Sequence, residues 1–145
     1  MIRLGEKRFL HEDQERFAAL SSDRNPMHMD PVAARRLLTG RQVVHGIHVF
    51  LCAMDLWAAA RGAPVASVGC TFANPVSVGD VVRFTEVEAD PGTVALEASV
   101  DGLACARITL RFAPDEAGGP AAGSATVIGM DALAQAVEDP PEPHV

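Results

Sequence analysis

Apolar and polar positions change their rhythm along this chain, and the changes mark out the elements. Residues Ile2 to Leu10 read as a short strand. Glu12 to Leu20 has a helical composition, with acidic residues early, where the helix dipole favours them. Phe17 and Leu20 share one face of that helix. The stretch SSDRNPMHMDP then clusters Ser, Asp, Asn and Pro, which marks a loop. Asp30-Pro31 suits a helix start, with Asp as cap and Pro in the first turn, and this helix is expected to stop at Gly40. Val43 to Ala60 is apolar nearly all round, which predicts a helix buried on most sides.

After Arg61-Gly62 the pattern becomes that of strands. Val65–Phe72 and Val81–Ala89 are two candidates, separated by Asn74-Pro75 and Gly79-Asp80. Thr93–Val100 alternates, with Val94, Leu96, Ala98 and Val100 on one face. Asp101-Gly102 is a hairpin turn signal. Leu103–Phe112 alternates again, with Ala104, Ala106, Ile108, Leu110 and Phe112 inward and Arg107, Thr109 and Arg111 outward. The predicted order is strand, helices, one long buried helix, then four antiparallel strands. This is an α+β arrangement in which a sheet can curl around the apolar helix. Residues 1–113 form the predicted domain. Residues 114–145 turn Gly-, Ala- and Pro-rich and read as a C-terminal tail outside the core.

Composition narrows the function. A net charge of −7 argues against nucleic acid as the main ligand and against an anionic membrane surface. A local basic patch could still receive a phosphorylated carrier. The first residues lack the apolar run of a signal peptide, and the stretch from Val49 to Ala60 is too short to span a bilayer. A cytoplasmic protein is the expectation. Cys52, Cys70 and Cys105 are widely spaced and lie in apolar stretches, so they read as small core residues and not as a disulfide framework.

The chemistry concentrates in the first third. His28, His45 and His48 fall close together, and the loop supplies Asp23, Asn25 and Pro26. A carboxylate and an imidazole five residues apart on a tight loop could grip one water. Free N–H groups at the start of the buried helix could receive an oxyanion. Asp and Asn also form such turns for purely structural reasons. His45 has a structural reading near the helix start, and His48 reads as a core or dimer-contact histidine with a lesser claim on substrate. His45 and His48 share a helix face, but no third ligand stands at a recognisable spacing, so no metal and no cofactor are expected.

FAALSSDRNPMHMDP followed by VVHGI resembles the signature of MaoC-like hydratases, which include (R)-specific enoyl-CoA hydratases. The matching positions are Phe17, Ala18, Leu20, Ser21, Asp23, Asn25, Pro26, His28, Asp30, Val43, His45 and Gly46. FANPVSVGD resembles a second family block through Phe72, Pro75, Val76, Val78, Gly79 and Asp80. The likeness covers about residues 7–113.

The resemblance implies a hot-dog fold, usually dimerised by edge pairing. It implies a hydro-lyase that interconverts trans-2-enoyl and (R)-3-hydroxyacyl thioesters of CoA or acyl carrier protein. It assigns water activation to Asp23 and His28, the oxyanion contact to the Gly46 N–H, and loop shaping to Asn25 and Pro26. Two positions depart from the pattern. Met54 stands where the (R)-hydratases carry a helix serine, and His48 replaces an apolar residue. His45, His48 and Met54 are therefore candidate pocket residues. A hot-dog thioesterase and a non-catalytic acyl-thioester binding module are the alternatives.

Overall fold

The computed structural model describes residues 1–113; the expected tail lies outside the described residues. The elements in order are β1 (Ile2–Arg8), α1 (His11–Ser21), α2 (Pro26–Met29), α3 (Pro31–Ala34), α4 (Gly46–Ala60), β2 (Val65–Phe72), β3 (Val81–Asp90), β4 (Thr93–Val100) and β5 (Leu103–Phe112). The strands form one antiparallel sheet in the order β1-β3-β4-β5-β2. β4 and β5 are joined at Asp101-Gly102, both with positive φ, the backbone that a two-residue hairpin turn requires.

The sheet curls against α4, which touches β1, β4 and β5. Val49, Ala53 and Trp57 recur at four-residue spacing on the buried side of the helix. They meet Phe84, Leu96, Ala98, Ile108 and Leu110 in one core. Each large apolar side chain buried there contributes about 1.5–3 kcal/mol. A long helix wrapped by an antiparallel sheet is the hot-dog fold, as the sequence led us to expect.

Three local features differ from the sequence-based expectations. Helix α4 begins at Gly46 rather than Val43. Val43 instead donates its N–H to Met27 O (3.0 Å) and bridges to Ser77, and Val44 N–H reaches Val76 O (2.8 Å). Val43 O is also taken, by Gln14 Nε2 (2.8 Å) and His28 Nδ1 (2.6 Å), and so does not accept the first bond of a helix. Helix α3 stops after Ala34, where an extension to Gly40 was expected. Beyond it Leu38 is wholly exposed, so continuing the helix would gain no apolar packing to offset its entropy. The loop SSDRNPMHMDP contains an extra helical turn, α2, with Asn25 as cap and Pro26 in its first turn.

Candidate active site

The loop after α1 is built by short-range hydrogen bonds. Ser22 ends α1 in a left-handed conformation. Asp23 Oδ1 accepts from Asn25 N–H (3.2 Å), and Asn25 Oδ1 caps α2 through Met27 N–H (3.1 Å). Asp30 Oδ1 accepts from Val32 N–H at 2.9 Å and so caps α3. The loop is thus a run of side-chain caps, and α2 turns His28 inward.

His28 is anchored from behind. Its Nδ1 lies 2.6 Å from Val43 O. A carbonyl only accepts, so Nδ1 carries the proton and Nε2 keeps its lone pair. Nε2 lies 3.8 Å from Asp23 Oδ2, longer than a direct hydrogen bond. The carboxylate is half-exposed, whereas the imidazole is largely buried.

Two glutamines lock this frame. Gln14, fully buried, donates through Nε2 to both Val43 O (2.8 Å) and His28 O (3.0 Å). Gln42 Nε2 donates to His28 O as well (2.9 Å). Sequence reasoning passed over Gln14. Its signal was a polar residue on the same helical stripe as Phe17 and Ala18.

Behind His28 the rings form a column. His45 stacks on His28 with centroids 4.1 Å apart, Phe17 lies 4.8 Å from His45, and His48 stacks on Phe17 at 4.7 Å. His45 Nε2–H donates to Asp23 O (2.9 Å) and so fixes the loop from within. Burial holds His45 below the usual imidazole range. Burial, with the Lys7 ammonium adding, pushes His48 down to about 4.

A cleft of about 340 Å³ opens beside His28. Its lining includes Met27, His28, Gly46, Val49, Phe72 and Cys105. It is mostly apolar and lies at the small end of ligand pockets. Gly46 is the first residue of α4, and its N–H has no backbone partner among the described residues. The structure therefore places the imidazole and the helix N–H on one cleft, while Asp23, 3.8 Å from His28 Nε2, is not among the lining residues. His45 stands behind His28 and His48 further back, and Met54 packs against the core. None of these three lines this cleft. Asp23, His28 and His45 offer ligand atoms within 4.8 Å of one another. His28 is held through Nδ1 on Val43 O and His45 through Nε2 on Asp23 O, and the other nitrogen of His45, Nδ1, is buried without a hydrogen-bond partner among the described residues.

A hot-dog domain with an imidazole and a carboxylate near a helix N-terminus is the class that the fold and this geometry define. Comparison with known proteins narrows the class. The family model described as the MaoC-like domain matches residues 5–101, and the chain belongs to that family. The (R)-specific enoyl-CoA hydratase of Aeromonas caviae is 36% identical over 85 residues, covering 57% of this chain and 63% of that protein. The 3-hydroxyacyl-thioester dehydratase Y of Mycobacterium tuberculosis is 32% identical over 96 residues, covering 63% of this chain and 33% of that protein. The chain thus spans less than two thirds of the length of either relative. Among solved structures, an (R)-hydratase from A. caviae aligns with a TM-score of 0.59 and 26% identity, covering 75% of this chain and 92% of that one. An (R)-hydratase from Pseudomonas aeruginosa shares the fold at a TM-score of 0.63 and 23% identity, covering 73% of this chain and 74% of that one.

Proposed function

We propose that this protein is a hydro-lyase that interconverts trans-2-enoyl and (R)-3-hydroxyacyl thioesters, with Asp23 and His28 activating the water. The observation that carries this reading is the arrangement of His28. Its Nδ1–H is bound to Val43 O, so its Nε2 lone pair faces the Asp23 carboxylate across 3.8 Å. One water bridges such a gap.

In the hydration direction the water oxygen attacks Cβ of the enoyl group, and His28 Nε2 takes the departing proton. The imidazolium so formed lies beside the Asp23 carboxylate, which stabilises it. Negative charge moves to the thioester oxygen, where the Gly46 N–H and the helix dipole receive it. The imidazolium then returns its proton to Cα. One water is added across the double bond, and the side chains end as they began. Dehydration is the reverse.

The (R) outcome is supported by the name of the A. caviae relative, and the thioester substrate by the names of both relatives and by the matched loop. CoA and a carrier protein both present the same thioester. The small apolar cleft favours a short acyl chain. Two copies pairing along β2 would complete a dimer. β2 is an edge strand of the sheet and exposes Val68 and Phe72.

The test is loss of enoyl absorbance on incubation with crotonyl-CoA, with mass analysis of the product. A gain of one water in the (R) configuration is expected. Release of free thiol without hydration would instead indicate a thioesterase, and tight binding without turnover a binding module.

A further inference from the structure

Gly46 lacks the positive φ that reserves a position for glycine. Its backbone would accept any residue, so the need for glycine lies outside its own conformation. A Cβ placed on Gly46 would lie 3.1 Å from Phe72 Cε1, 3.2 Å from Cζ and 3.3 Å from Cδ1. The neighbour that a side chain there would crowd, and push aside by a few tenths of an ångström, is therefore one edge of the Phe72 ring.

The backbone that carries this ring is tied down. Phe72 is the last residue of β2 and pairs with Ala106 on β5. The next N–H, from Ala73, donates to Cys105 O (2.8 Å), and Asn74 Nδ2 donates to Ala104 O (2.8 Å). The ring itself is half-exposed and lines the same cleft as His28 and Gly46. A phenyl group held from the sheet thus leans over the first residue of the helix, at the mouth of the cleft.

We infer that Phe72 is a positioning residue for the thioester: its ring forms the wall that keeps the carbonyl oxygen against the Gly46 N–H, and Gly46 is glycine so that this ring can come close. This rests on the hydratase reading above. Without the ring, a bound thioester carbonyl can swing away from its donor, and the developing charge loses part of its stabilisation. Saturated acyl-CoA, which develops no such charge, is much less affected. A methyl group at Gly46 displaces the ring and closes the same space.

The experiment is a double-mutant cycle on the full chain with Gly46→Ala, Phe72→Ala and the pair, read by crotonyl-CoA hydration and by thermal melting. Phe72→Ala is expected to lower kcat by about 10-fold while the Kd for butyryl-CoA changes less than about 3-fold. Gly46→Ala is expected to lower kcat/KM by about 100-fold and to lower Tm. In the pair, removal of the ring relieves the contact. Kcat/KM should then recover at least about 5-fold over Gly46→Ala, with a partial return of Tm, whereas independent effects would multiply.

Multiplicative losses, or unchanged kcat in Phe72→Ala, would overturn the inference and leave the hydratase reading standing. Should Gly46→Ala not fold, the kcat-against-Kd split of Phe72→Ala decides alone. A wild-type protein that hydrates no enoyl thioester overturns the function and the inference with it.

Discussion

His28 and His48 stand at opposite ends of one column of rings, and their fates differ. At the outer end, His28 spends one ring nitrogen on Val43 O and turns the other toward a carboxylate and the cleft. At the inner end, His48 stacks on Phe17 and meets Phe9 edge-on, and its Nδ1 is buried without a partner among the described residues. Its pKa near 4 keeps it neutral around pH 7. The two residues are chemically identical. What separates them is whether a carbonyl fixes the tautomer and whether the free nitrogen reaches open space. Proton transfer needs both conditions.

The largest expected effect tests this contrast directly. His28→Ala or Asp23→Asn should lower turnover on crotonyl-CoA by a factor on the order of 10² or more, with the circular dichroism spectrum unchanged. His48→Phe, which keeps the stack, should stay within about threefold of wild type, since nothing it does involves the reacting proton. Equal losses from both ends of the column would erase the distinction.

A smaller effect is expected from Gln14→Leu. The side chain is buried and donates to the two carbonyls that frame His28. Its loss leaves buried acceptors short of a donor, at about 1–3 kcal/mol in a urea unfolding experiment. Turnover should fall as well, because His28 loses its fixed backing. Wild-type stability and activity would mean that Gln42 alone holds the loop.

The smallest effect is a slope with pH. Folding depresses His48 from 6.5 to about 4, so the unfolded chain binds a proton there more readily than the folded one. The favourable contribution is complete above pH 6.5 and declines as pH falls toward 4. Tm measured across that window should fall less steeply in His48→Phe than in wild type. Parallel curves would show that other groups carry the acid sensitivity.

Much of this was legible in the residues. The alternation in Thr93–Val100 and Leu103–Phe112 placed the inward faces of β4 and β5, because a half-buried strand must alternate. The caps at Asn25 and Asp30 act over two or three residues, so the loop motif can be read locally. Contacts that join distant segments had no such signal. Val43 O as the anchor of His28, and Phe72 against Gly46, each link residues that only the fold brings together. His45 and His48 show the limit from the other side. Both stood as possible pocket residues with a structural role as the first reading, and the face they occupy meets Phe17 of α1 and not this cleft.

The carbonyl bound by His28 and the amide that opens α4 belong to Val43 and Gly46, three positions apart on one length of main chain. The main chain from Val43 to Gly46 thus ties the residue that backs the imidazole to the residue that opens the helix. Residues on the opposite side of the opening, from β2 and β5, meet this segment only through the fold. Changes on that far side, Phe72 apart, would reshape the space beside the helix start while leaving this short segment as it is.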